Sequence, residues 1–459
     1  MSISPTPKFY SRAEKLLAFL IVIGVIQVIV FFTKNGYLPP PFFDDTTDTF
    51  MDWYNTAYWV YKPGAYDEWG SVYPPFSFVF LRFFSNPSCY AWNGAAARQC
   101  DQLGIFAISG FFLLNFVLLY KIFQKDVAGT AIPRAIALGL GLPMLYSWER
   151  GNLIVPCFTF FILGHGRLLK AGWVRWLCVA ASINFKPYLV LALAGRVLRR
   201  RWRWLEGCAV AIVIVYAVSF MVFGQGNPIA LFNNIAVFSQ GSDVIRWSSI
   251  AYVSTLNAIL DILKSPLPIM RFIGSRPIEA MESIFPAAIG LSEIGVLTCF
   301  AGAVWRPNAV PAYRLAALSM GLLLTVSNPG SYAAIFLFFF VFQERWEGPG
   351  QIVALIATYI LCVPLDYEIV GIGHQIKDSY LSGRAVGYDT GLTVGAFLRP
   401  ALMLLIQYGL VAASLRDIGR APQPASRRHR RPPDRTGSWS PVDAILGRLR
   451  SASRKGADI

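Results

Sequence analysis

Apolar runs recur along this chain, separated by short polar or basic stretches. They predict helices over 16–32, 103–123, 135–147, 153–164, 174–183, 188–197, 205–223, 285–305, 312–326, 333–342, 352–364 and 396–415. A straight helix needs about 20 apolar residues to cross a bilayer, and several of these runs are shorter. The pattern therefore reads as an all-α, polytopic transmembrane bundle of about 10–12 helices, some of them broken or re-entrant.

Lys and Arg in the short connections set an orientation, because basic loops stay on the cytoplasmic side. Lys8, Arg12 and Lys15 precede the first run, and Lys121, Lys125 and Arg134 follow the second. Arg167, Lys170 and Arg175 form a third basic group, and Arg199, Arg200, Arg201 and Arg203 a fourth. Both termini are then expected in the cytoplasm, the chain in a plasma (inner) membrane, and loops 33–102, 224–283 and 366–395 outside. The first run is followed by Pro39-Pro40-Pro41 rather than a small-residue cleavage site, so it reads as a retained helix. Keeping the third and fourth basic groups on one side requires the apolar stretch between them to double back at Asn184-Phe185-Lys186-Pro187. Lys186 then sits at the floor of an outward-facing cavity. The same parity makes 250–263 a surface or re-entrant helix. No internal repeat is visible, which weighs against a transporter.

Composition agrees with this pattern. Of 459 residues, 55% are hydrophobic and 15% charged, whereas soluble domains carry about 25% charge. The formal net charge is +15, but eleven Lys/Arg against four acids lie between Leu415 and Ile459. The chain thus divides into a membrane domain, 1–415, and a basic, largely disordered cytoplasmic tail, 416–459, suited to anionic membrane lipids. Nucleic acid is not needed to explain the charge. Cys157, Cys178, Cys208, Cys299 and Cys362 fall in apolar runs and read as small core residues. Cys89 and Cys100 lie in the first external loop, where disulfides persist, and are expected to pair. With three histidines and no Cys/His cluster, no metal centre and no cofactor is expected.

Loop 33–102 holds the densest chemistry, with seven acids against four bases. Asp44, Asp45, Asp48 and Asp52 are interleaved with Phe50, Trp53, Tyr54, Tyr58 and Trp59. On a helix Asp44, Asp48 and Asp52 would share a face, and their mutual repulsion would raise their pKa values. Such a carboxylate beside a hydroxyl is a general base; the plainer alternative is a helix cap beside an interfacial aromatic belt. Glu149 and Arg150 break two apolar runs, either pairing with each other or aiming Arg150 at a phosphate. Lys186 either snorkels or binds an anion. His374 reads as an ordinary loop histidine.

These positions taken in order resemble a known family. Asp52-Trp53, Ala57, Gly64-Ala65-Tyr66 and Tyr73-Pro74-Pro75 come first. Gly151-Asn152 opening a helix, Lys186-Pro187-Tyr188 and the 199–202 basic run then follow. Together they look like glycosyltransferase family 87 of the GT-C superfamily, over about residues 44–204. The resemblance implies a membrane glycosyltransferase using a polyprenyl-phosphate sugar donor, mannose or another hexose or pentose, and an external glycan or glycolipid acceptor. It implies inversion, with Asp52 as base and Asp48 in reserve. Lys186 and Arg150 would hold the leaving phosphate, and Asp44, Asp45, Trp53, Tyr73 and Asn152 would line the substrate site. No metal is required, although the adjacent Asp44 and Asp45 leave a divalent ion open. Two other classes compete: a transporter of lipid-linked saccharides, and a polysaccharide polymerase or ligase. The second gains from Arg246, Arg271 and Arg276 in loop 224–283.

Overall fold

A computed structural model of the chain describes residues 7–42, 46–240, 259–260, 275–326 and 331–421. Asp44 and Asp45, Arg246 and Arg271, most of the 250–263 run, and the tail beyond 421 lie outside the described residues.

The first long helix, α1, is Pro7–Asn35. Three short helices fold the following loop: α2 (Met51–Tyr58), α3 (Pro75–Phe83) and α4 (Gly94–Cys100). Then come α5 (Gln102–Asp126), α6 (Ala131–Gly139), α7 (Leu142–Glu149) and α8 (Ile154–His165). The single run expected at 135–147 is split between α6 and α7, where Pro143 cannot donate to a continuing ladder. Helix α9 (Gly172–Phe185) is followed by a 3-10 stretch, Pro187–Leu193, and α10 (Ala194–Leu198). Next are α11 (Trp202–Phe223), α12 (Pro228–Gln240), α13 (Ser275–Trp305), α14 (Ala312–Val326), α15 (Ala334–Val341) and α16 (Pro349–Leu361). An antiparallel hairpin, β1 (Glu368–Ser379) and β2 (Arg384–Thr393), precedes α17 (Gly395–Arg420).

The protein is thus mostly helical, and the hairpin is the departure from an all-helical reading. Among the described residues, six helical segments are long and apolar enough to cross a membrane: most of α1, α5, the α6–α7 pair, α11, most of α13, and α17. Their outward apolar side chains, such as Phe19, Phe106, Val213, Met221 and Leu291, are exposed, as a lipid-facing surface requires. The shorter runs have a different cause. Helix α15 is buried on every side, packed against Phe158 and Phe161 of α8, so it forms core rather than a lipid face. Helices α16 and α17 touch backbone to backbone: a Cβ on Gly350 would lie 2.3 Å from the Gly409 carbonyl. Only glycine permits such an approach.

The stretch 172–198 doubles back as its basic flanks require. Arg175 near its start and Arg196 near its end are electrostatic neighbours, while Lys186 at the bend lies in the field of Asp52. One end of the bundle therefore gathers Asp52, Arg150 and Lys186. The other is closed by a buried ion network. Glu14 of α1 is paired with Arg134 of α6 at 2.6 and 2.8 Å and also accepts from Trp346 and Tyr359. Arg134 donates onward to the Glu344 carbonyl, and Arg314 of α14 binds both Glu344 and Asp417. Five elements converge on these few groups, and every oxygen of Glu14 is satisfied, which makes burying the charge tolerable.

Candidate active site

Residues 48–52 do not form the helix that would align three aspartates. Helix α2 begins only at Met51, and Phe50 ahead of it sits in the left-handed region at φ 61°. For a bulky residue this is an energetically costly conformation. The backbone bonds around it supply the compensation: Phe50 N–H donates to the Glu149 carbonyl at 2.8 Å and Asp52 N–H to the Arg150 carbonyl at 3.1 Å. The aspartate loop is thereby stapled onto the turn after α7. That turn needs Gly151, at φ 70°, because a Cβ there would lie 2.6 Å from the Phe50 carbonyl oxygen.

The staple brings Asp48 and Asp52 together on one cation. Arg150 pairs with Asp48 and, at 3.2 Å, with Asp52 Oδ1. Asn152 donates its side-chain amide to Asp52 Oδ2 at 2.7 Å. Burial works against the Arg150 charge, but Asp52 and Asp48 outweigh it and hold its pKa above the ordinary value. Glu149 does not pair with Arg150; it accepts from Thr49 at 2.8 Å, and its other oxygen has no partner among the described residues.

Below Asp52 lies a group of aromatic hydroxyls and one ammonium. Tyr73, half-buried, contacts the Thr56 side chain, and Thr56 in turn donates to the Asp52 carbonyl at 2.7 Å. Burial and then the Asp52 charge raise the Tyr73 pKa. Lys186 Nζ stands 4.3 Å over the Tyr73 ring. Among the described residues no carboxylate forms an ion pair with it, Asp52 acting only at longer range. Tyr332 bonds Asn152, and the Tyr188 hydroxyl nearby has no partner among the described residues. Tyr188 was visible in the Lys186-Pro187-Tyr188 motif. Tyr332 belonged to no motif in the sequence.

Trp53 is fully buried against Phe80 and serves as the pin that seats α2. Support comes from α4 as well. Cys89 and Cys100 form a disulfide with Cα atoms 5.5 Å apart. Arg98, two residues before Cys100 on α4, donates to the carbonyls of Thr47 and Thr49 and packs 3.8 Å over the Tyr380 ring of the hairpin. Arg98 therefore holds Asp48 from one side while Arg150 holds it from the other. A small hollow of about 10 Å³ lies between this loop and the hairpin, lined by Tyr37, Thr46, Thr49, Glu149 and Ser379. His374 on β1 pairs at 2.9 Å with Asp389 on β2, both exposed and part of the strand pairing. Among the described residues no three His, Cys, Asp or Glu side chains converge as a metal site would require.

No family model, curated protein or solved structure matches the chain. The reading of the site therefore stands on its own groups.

Proposed function

We propose that the chain is a membrane glycosyltransferase that moves a sugar from a polyprenyl-phosphate donor to a glycan or glycolipid acceptor outside the cytoplasm, with inversion. The observation that carries this reading is the juxtaposition of an oriented carboxylate, Asp52, with a cation, Lys186, that has no anionic partner among the described residues. Asp52 keeps one lone pair free on each oxygen after accepting from Arg150 and Asn152, so it can take a proton from an acceptor hydroxyl. The deprotonated oxygen attacks the anomeric carbon, the bond to the phosphate oxygen breaks, and the lipid phosphate leaves with the negative charge. Lys186 and the Tyr188 hydroxyl offer donors to that charge as it develops. Arg150 is already neutralised by two aspartates, so its role in this scheme is to aim Asp52 rather than to bind phosphate.

The basic loops support a cytoplasmic placement of both termini, with Asp52 at the outer face of a plasma membrane.

The test uses purified chain in liposomes with a labelled polyprenyl-phosphate sugar. Lys186→Ala should weaken donor binding and slow turnover together, by about tenfold or more, as loss of a charge-assisted contact of at least about 1.5 kcal/mol requires. Lys186→Arg should keep part of both. Unchanged donor affinity in Lys186→Ala would remove the phosphate from this position.

A further inference from the structure

The opposite end of the hairpin 172–198 holds a second set of cations that the proposed reaction does not use. Between Gly166 and Leu205 the chain carries no Asp or Glu. The Arg196 guanidinium carbon stands over the Trp204 ring, 3.8 Å from its centre. Arg175 donates its Nε to the Gly164 carbonyl at 3.2 Å, which fixes the guanidinium and leaves its terminal nitrogens to other partners. Arg196 feels the repulsion of both Arg175 and Arg201. Arg175 feels that of Arg167, whose own partner is Asp126 at 3.4 Å. His165, packed against Phe161 and Phe340, lies in the field of Arg175 and Arg196, and its Nε2 has no partner among the described residues. Cys178 and Cys208 are the remaining titratable groups facing the pair. Glu206, the first acid after the basic stretch, forms no ion pair with either arginine among the described residues.

Two partly desolvated guanidinium groups in each other's field, neither ion-paired to an acid among the described residues, are unfavourable without an anion to neutralise them. We infer that Arg175 and Arg196, seated against Trp204, form a binding site for the phosphodiester of an anionic membrane phospholipid. A guanidinium held over an indole presents its donor edge in a fixed plane, which matches two phosphate oxygens at once. The surroundings favour a lipid over a free phosphate. Trp173 and Trp202, at the starts of α9 and α11, are exposed, as tryptophans at a membrane interface are. From Trp202 the exposed apolar face of α11 continues through Val210, Val213 and Ile214, a surface for acyl chains attached to a phosphate at the arginines.

The test is a thermal melt of the full purified chain in detergent, titrated with short-chain phosphatidylglycerol, phosphatidylcholine or glycerol 3-phosphate. Phosphatidylglycerol should raise the melting midpoint and saturate near one lipid per chain. The other two should not shift it at the same concentration. Arg175→Gln/Arg196→Gln should abolish the shift, and Arg200→Gln/Arg203→Gln, at the same end but outside the pair, should retain it. Equal shifts from both lipids, an equal shift from glycerol 3-phosphate, or a shift that survives the Arg175/Arg196 pair of changes would each overturn the inference. Native mass spectrometry of the unaltered chain extracted in mixed lipids reads the same site without substitution. One retained phosphatidylglycerol is expected, and equal retention of phosphatidylcholine contradicts it.

Discussion

Gly151→Ala is the change whose effect follows most directly from geometry. The residue sits at φ 70°, and an added Cβ would lie 2.6 Å from the Phe50 oxygen and 2.7 Å from its Cα. The left-handed conformation alone costs an L-residue about 1–2 kcal/mol relative to glycine. Overpacking against backbone adds about 1–3 kcal/mol, because a main-chain atom cannot rotate away as a side chain can. The loop can escape the clash only by releasing the two bonds that staple it, Phe50 N–H to Glu149 and Asp52 N–H to Arg150. At the lower bound of about 2 kcal/mol, opening of this loop becomes about thirtyfold more frequent. Hydrogen exchange at the Phe50 and Asp52 amides should therefore accelerate by that factor or more. Amides in α15, which is wholly buried and far from the change in sequence, should keep their protection. Unchanged exchange at Phe50 and Asp52 in a folded Gly151→Ala protein would refute the staple. It would also refute the argument that the turn after α7 positions Asp52.

Two other outcomes are expected. At the far end of the bundle, Glu14→Gln leaves Arg134 buried without its counter-charge, and thermal melting should report a loss of about 3–5 kcal/mol. Tyr359→Phe removes one hydrogen bond to the same carboxylate and should cost only about 1 kcal/mol; equal effects would mean the network is not organised around Glu14. For orientation, Trp92→Cys places a thiol at a residue that is 82% exposed in the first loop, while Cys89 and Cys100 are bridged and the five other cysteines are buried. Intact cells should label with an impermeant maleimide. Labelling only after permeabilisation would reverse the proposed topology.

Much of the bundle was legible because lipid-facing helices are written as long apolar runs, as in α1, α5 and α11. The bend at Lys186 was legible for two independent reasons, the proline after it and the basic groups on both flanks. The break between α6 and α7 was missed because Gly141 and Pro143 lie inside an apolar run whose hydropathy hides them. The hairpin β1–β2 was missed because its glycines and charges, from Gly371 to Gly391, carry no clean alternation, and long-range contacts to Thr46 and Gly36 hold it in place. Within the site, the chemistry of Asp52, Arg150, Asn152 and Lys186 was readable as residue types in order. Their pairing was not. Asp48 and Asp52 come together through a left-handed Phe50 and a carbonyl-to-amide staple, not through helical spacing. Arg98 went unnoticed because one base among the four of an acidic loop gives no hint that it will reach two carbonyls forty-nine and fifty-one positions away.

The central claim is that Asp52 takes the acceptor's proton while Lys186 holds the departing lipid phosphate. The most direct measurement is release of polyprenyl monophosphate from a labelled polyprenyl-phosphate sugar, by Asp52→Asn and by the unaltered chain, in liposomes with and without acceptor. The substitution keeps side-chain volume and a hydrogen-bond acceptor for Asn152 while removing the base. Release by the unaltered chain should require acceptor. In Asp52→Asn it should fall by about a hundredfold or more, with donor binding retained. Release at the normal rate in Asp52→Asn, or movement of intact donor across the bilayer with no release by the unaltered chain, would contradict it.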